Sequence, residues 1–176
     1  TYGGGIRDPK DASEVIKSGV ERVVIDNLYQ KNNNSIKKIS EKIGSQALII
    51  SLPVCIDQEK YKIYDYLNKK CFEINDCFQE SLINNYSSEI MLIDKNNEGI
   101  KNGFQQDLLD NFPLKNKKLI VFGGLDNIDK IRYVLNKKEV NAIAIGNSLN
   151  FKEHSVQKIK EKLKLNCLRK SNFTEL

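Results

Sequence analysis

The chain predicts an α/β fold built on a parallel sheet, and three observations carry that expectation. Strand-like segments alternate with amphipathic helices, those segments are apolar throughout, and several end in glycine-rich or small-residue junctions. The junctions are Tyr2-Gly3-Gly4-Gly5-Ile6, Val121-Phe122-Gly123-Gly124 and Ile143-Ala144-Ile145-Gly146-Asn147. Strands without polar alternation, separated by helices, indicate a parallel sheet covered on its outside. Glycine at such a turn lets the backbone approach a ligand, and the next helix presents unpaired N–H groups at its positive dipole end. That combination suits a phosphate group.

Residues 1 to 3 read as the end of a strand. A helix over about 9 to 18 follows, with Asp8 as its cap, Pro9 in its first turn and Ala12, Val15 and Ile16 as its apolar stripe. Glu21 to Asp26 is the next strand, and a polar helix is expected over about 34 to 43. Gln46 to Leu52 is a strongly apolar strand, expected to stop at Pro53. Residues 54 to 76 break the alternation. Tyr61, Ile63, Tyr64 and Tyr66, then Leu67-Asn68-Lys69-Lys70, then Cys71-Phe72-Glu73-Ile74, predict two short strands around a polar turn. The tyrosines of this inserted hairpin are expected to cover apolar surface.

The alternation resumes with a helix near 77 to 86, a strand Glu89 to Ile93 and a polar loop over 94 to 103. A helix over 105 to 112, a strand Lys118 to Phe122 and a helix over 126 to 136 come next. A strand Ala142 to Ile145 and a helix over 152 to 164, with Val156, Ile159 and Leu163 as its stripe, complete the set. Six βα units of about 20 to 25 residues have barrel spacing, and an eightfold barrel needs about 250 residues. The two further units are expected before Thr1. Residues 1–165 are thus expected to form a partial (β/α) barrel, the third to eighth units of a (β/α)8 TIM barrel, with 166–176 as a tail.

Composition narrows the function. The 176 residues carry a net charge of +5, and the lysines are scattered over helix faces, which argues for no nucleic-acid partner. No apolar run reaches the length of a membrane span, so no membrane partner and a cytoplasmic setting are expected. The four cysteines show no CxxC pair and the single histidine is His154; the cysteines read as ordinary thiols, and neither a metal site nor a cofactor is expected.

The three junctions, together with Glu89-Ile90-Met91-Leu92, Gly99-Ile100-Lys101-Asn102-Gly103-Phe104 and Asn150-Phe151-Lys152-Glu153-His154, resemble one family in order along almost the whole chain. It is the cyclase (HisF-like) subunit of imidazole glycerol phosphate synthase, a (β/α)8 barrel that takes ammonia from a glutaminase and closes an imidazole ring. The resemblance implies two phosphate sites at the strand C-termini. Gly4, Gly5 and the Asp26-Asn27 strand end fall at one, and Gly123, Gly124, Gly146 and Asn147 at the other. Glu98 and Gly99 fall in the substrate loop. Arg22 and Glu89 match a salt-bridged ammonia gate at the N-terminal face, where the glutaminase docks.

Departures from the family pattern matter as much. The fifth-strand catalytic aspartate falls on Pro53, which cannot move a proton, and the nearest carboxylate is Asp57. Ile93 and Asn96 replace a threonine and an aspartate, Glu98 an aspartate, Asp26 an asparagine and Phe122 a serine. No catalytic acid is therefore assigned in this segment. Two roles compete: the cyclase (lyase) of histidine biosynthesis, and a diverged subunit that passes ammonia to a separate amidotransferase acting on a surface sugar. The tyrosine-rich hairpin is similar to that second branch, and the expectation leans to delivery. A third reading is that the 176 residues alone form no working enzyme: six strands leave two raw sheet edges, which invite pairing, swapping or misfolding unless the missing units supply closure. Closure by those units is the expectation.

Overall fold

The structure, a computed structural model, describes residues 1–26, 34–74, 80–114, 116–150, 153–166 and 168–171. Its strands are β1 (Tyr2–Gly3), β2 (Val23–Ile25), β3 (Leu48–Asp57), β4 (Lys60–Asp65), β5 (Lys70–Glu73), β6 (Glu89–Asp94), β7 (Lys118–Phe122) and β8 (Val140–Ile143). The helices are α1 (Pro9–Lys17), α2 (Ser35–Ile43), α3 (Glu80–Tyr86), α4 (Gln106–Asp110), α5 (Ile128–Leu135) and α6 (Ser155–Leu163).

Six strands lie parallel in the order β1-β2-β3-β6-β7-β8. Each new strand is laid beside its predecessor in the same direction. With right-handed crossovers this puts every helix on one side of the sheet, and the sheet curls away from them as a partial (β/α) barrel. The register identifies the two faces. Ile50, Ile90 and Leu119 form one row, and Leu52, Leu92 and Val121 the next; both pack with Ala12, Ile36, Ile39, Leu108, Ile131 and Val134 of the helices. The alternate rows, Ser51–Met91–Ile120–Ala142 and Pro53–Ile93–Phe122, therefore face the barrel interior.

Local chemistry sets the helix starts. The Asp8 carboxylate accepts from the Lys10 and Asp11 amides with Pro9 in the first turn, and Asn127 accepts from Asp129 and Lys130 at the start of α5.

Two strand boundaries and one helix face differ from expectation. Pro53 does not stop β3, which runs on to Asp57. Val54 pairs with Asp94 of β6 and with Ile63 of β4 at once, so β4 must lie on the edge that β2 occupies lower down. On that edge β2 covers Leu48 to Ile50 and β4 begins at Val54. Pro53 falls in the gap between them, where an absent donor breaks no ladder on that side. The last strand is Val140–Ile143, not Ala142 to Ile145, because Asn141 is an extra residue bulged between the pairs Leu119–Val140 and Ile120–Ala142. In α6, Leu163 is buried and Ile159 packs against the core as expected, but Val156 is 41% exposed and Ser155 is buried in its stead.

The strands β4 and β5 lie within the 54–76 segment and extend β3 into an antiparallel meander. Tyr61 covers apolar surface, as expected: it meets Phe112 edge-on and donates to the Asp107 carbonyl. Tyr64 and Tyr66 do otherwise. They contact each other edge-on, Lys95 sits over both rings, and Tyr66 donates to Glu98.

Candidate functional site at the two poles of the barrel

At the N-terminal pole, Arg22 precedes β2 and Glu89 opens β6. Their inward parity brings Arg22 Nη2 into direct contact with Glu89 Oε2. The same nitrogen donates to Ser88 Oγ at 2.8 Å, and Ser88 Oγ donates to the Leu48 carbonyl. Glu89 Oε1 accepts from Asn141 Nδ2 at 2.7 Å. The Glu89 side chain is only 10% exposed and the Arg22 side chain 31%, and Arg22 Nε is buried with no hydrogen-bond partner. Ser88 and Asn141 were not found by reading the sequence. Asn141 reaches Glu89 from the bulge in β8, and a bulge leaves no mark in hydropathy.

Nearby, Lys117 Nζ contacts the Ser87 carbonyl, and burial lowers its affinity for a proton.

At the C-terminal pole, Pro53 is buried, registers with Ile93, and Ile93 registers with Phe122. The inner face here is apolar. Asp57 lies four residues further along the same face of β3, exposed and paired with Lys62 at 2.6 Å. Gly99, Lys101, Gly123, Gly124 and Gly146 come together around a cavity of about 460 Å³, with Lys158 and Lys162 of α6 on its wall. Gly4 and Gly5 line a separate recess that also holds Asp11 and Glu14, whereas the larger cavity has the single carboxylate Asp126 beside its lysines. Asn27 lies outside the described residues, and Asn147 opens a short 3-10 turn, Asn147–Asn150.

Packing accounts for the second glycine pair. A Cβ on Gly123 would stand 2.7 Å from the Asp94 carbonyl oxygen, and one on Gly124 would stand 2.5 Å from the Phe104 nitrogen. Gly4 and Gly5 have open space around them, and only their φ values of +104 and +72 call for glycine. Asp94 organises this region. Its carboxylate accepts from Asn97 Nδ2 and from the Gln105 amide, and burial raises its pKa against those bonds. Glu98 is held by Tyr66, whose own pKa is raised by burial and by Glu98. Among the described residues no group of three or more metal-ligating side chains occurs, and no helix is long and apolar enough to cross a membrane.

One-sided helices on a sequentially ordered parallel sheet, with glycine loops at the strand C-termini, define the class as a (β/α)-barrel protein. The chain belongs to the family described as Histidine biosynthesis protein, whose profile matches residues 1–155. It is similar to the imidazole glycerol phosphate synthase subunit HisF of Pelodictyon phaeoclathratiforme, 26% identical over 167 residues, covering 93% of this chain and 66% of that protein. The subunit of the same name from Leptospira biflexa is 28% identical over 169 residues, with the same coverage of both chains. A putative imidazole glycerol phosphate synthase subunit hisF3 of Vibrio vulnificus is 27% identical over 161 residues, covering 86% of this chain and 60% of that one. The chain spans 66% of the length of the first relatives it matches.

Proposed function

We propose that this chain is the barrel side of a glutamine-dependent amidotransferase, acting in the cytoplasm with residues 1–165 as the barrel portion and 166–176 as a tail. A glutaminase docks at the N-terminal pole, ammonia enters past Arg22 and Glu89, and a phosphorylated small molecule binds at the C-terminal pole. The ammonia goes on to a separate amidotransferase that modifies a surface sugar. No cofactor takes part.

One feature supports the entry route. Each charge of the ion pair already has another partner, Ser88 for Arg22 and Asn141 for Glu89. Parting the pair then leaves neither group bare, which keeps the cost of opening small compared with stranding a buried charge. At the other pole, the amides around Gly123, Gly124 and Gly146, with Lys101, Lys158 and Lys162 close by, suit a phosphate.

The observation that carries delivery over ring closure is Pro53 beside Ile93 on the interior face. Ring closure needs a group that moves protons at the mouth, and this position has none. Cyclase activity is the second reading, favoured by the cavity that gathers Gly99 with Gly123, Gly124 and Gly146. The test is to supply the full-length gene product with ammonium salt and the ribulosyl bisphosphate substrate and to look for imidazole glycerol phosphate. Absence of turnover in a folded protein that binds the phosphorylated substrate is the expected outcome. Turnover well above background would overturn delivery and restore the cyclase.

A further inference from the structure

The hairpin carries a feature that the ammonia route does not use. Cys55 on β3 and Cys71 on β5 approach to 4.0 Å between sulfurs, Cys55 buried and Cys71 exposed. They do not sit on neighbouring strands. Cys55 is opposite Lys62 and Cys71 is opposite Tyr64, both on β4, so β4 runs between them and both thiols lie on one face of the meander. A disulfide fits this arrangement badly. It needs sulfurs about 2.05 Å apart and Cα atoms within about 7 Å, whereas strands two apart in a sheet are separated by roughly 9.6 Å.

We propose that Cys55 and Cys71 form a two-thiolate site for a soft cation, with cuprous ion as the ligand. An ion about 2.3 Å from each sulfur, the usual metal–thiolate distance, closes a 4.0 Å gap with no strand movement. The S–metal–S angle that follows is roughly 120°. That is trigonal, with the third position open on the exposed side of Cys71. Thiolate sulfur selects cuprous ion over harder cations, and a zinc ion held by two protein ligands would lack half of its usual tetrahedron.

The chemistry balances without redox. Each thiol releases its proton to solvent as its sulfur–copper bond forms, and the pair of thiolates with one cuprous ion carries a net charge of −1. Lys62 lies close enough to Cys55 to favour its thiolate, although it is also paired with Asp57. In the metal-free protein, burial and the neighbouring Cys71 push the Cys55 thiol up to about 11, so it stays protonated until a metal competes for the sulfur. Occupancy pins β5 to β3 across β4. It thereby stiffens the hairpin that presents Tyr66 to Glu98 at the barrel mouth.

The experiment uses the full chain with Cys77→Ser and Cys167→Ser, which leaves these two thiols alone. The reduced protein receives cuprous ion as its acetonitrile complex under anaerobic conditions and then competes with bathocuproine disulfonate, which colours on binding copper. One cuprous ion per chain withheld from the chelator is the expected result, with retention lost in Cys71→Ser, an exposed change that circular dichroism should show to be folded. The proposal fails if copper passes to the chelator as readily from the parent as from Cys71→Ser. It also fails if diamide closes a Cys55–Cys71 disulfide in the native protein, since the strands would then reach bonding distance and the two-thiolate geometry would be wrong.

Discussion

The two poles of this barrel are built on opposite plans. The N-terminal pole is polar and interlocked, with Arg22, Ser88, Glu89 and Asn141 each holding another. The C-terminal pole, where barrels keep their chemistry, is apolar inside at Pro53, Ile93 and Phe122, and its order comes from close-packed backbone around Gly123 and Gly124. Ionic order is concentrated at the N-terminal face and is absent from the inner row Pro53–Ile93–Phe122 at the other end. The two sets of positions sit at opposite ends of the same strands, so either can change while the frame between them stays.

The contrast can be strained hardest at the N-terminal pole. Glu89→Ala leaves the Arg22 charge with the neutral Ser88 alone and removes the acceptor for Asn141, and should cost about 3 kcal/mol in urea unfolding. The double change Arg22→Met with Glu89→Leu should recover most of that loss; if it does not, the network is stabilising beyond its charge balance. At the other pole, Gly124→Ala drives a methyl into the Phe104 amide at φ +63 and should cost about 2 kcal/mol more than Gly5→Ala, which meets only the left-handed backbone penalty of about 1 kcal/mol. Equal costs would mean that the 94–104 loop yields and that backbone packing does not order this pole.

Smaller effects sharpen the picture through pH. Tyr61 is pushed up to about 12 by burial and then by Asp107 and Asp110. Its folded pKa lies above the ordinary tyrosine value of 10.0, so the stability it contributes is whole below that pH and is lost as pH rises toward 12. Tyr61→Phe should cost about 1 kcal/mol near neutrality through the lost bond to the Asp107 carbonyl, and should flatten the alkaline limb of the unfolding profile. Asp94 should give the smallest change. Its raised pKa means that the folded state takes up a proton at a pH where the unfolded chain, near 3.8, does not. Stability measured against Asp94→Asn should therefore rise as pH falls through the window above 3.8. A fall instead would mean that the bonds from Asn97 and Gln105 outweigh burial.

Much of this fold was legible because its causes are local. Asp8 with Pro9 marks a helix start wherever it occurs, and unbroken apolar runs such as Leu119 to Phe122 mark buried parallel strands. The pairing of Arg22 with Glu89 came from the family resemblance, and charge alone at two strand starts would not have established it. What stayed hidden depends on partners distant in sequence. Pro53 looked like a stop, since its tolerance rests on where β2 ends and β4 begins. Val156 looked buried, but the helix turned Ser155 inward. The purpose of Gly123 and Gly124 divided in a way no motif reveals, because the atoms that crowd them belong to Asp94, Gly103 and Phe104.

The bulge at Asn141 adds a side chain to the N-terminal pole without disturbing the ladder around it. One added residue lets β8 offer Asn141 to Glu89 and still return Ala142 and Ile143 to their partners on β7. Deleting Asn141 would leave Val140, Ala142 and Ile143 opposite the same partners in a regular ladder, and what would be lost is the second hold on Glu89. Anyone recombining this barrel with a relative should therefore place the crossover before Val140 or after Ile143, and treat the four residues between as one indivisible cassette.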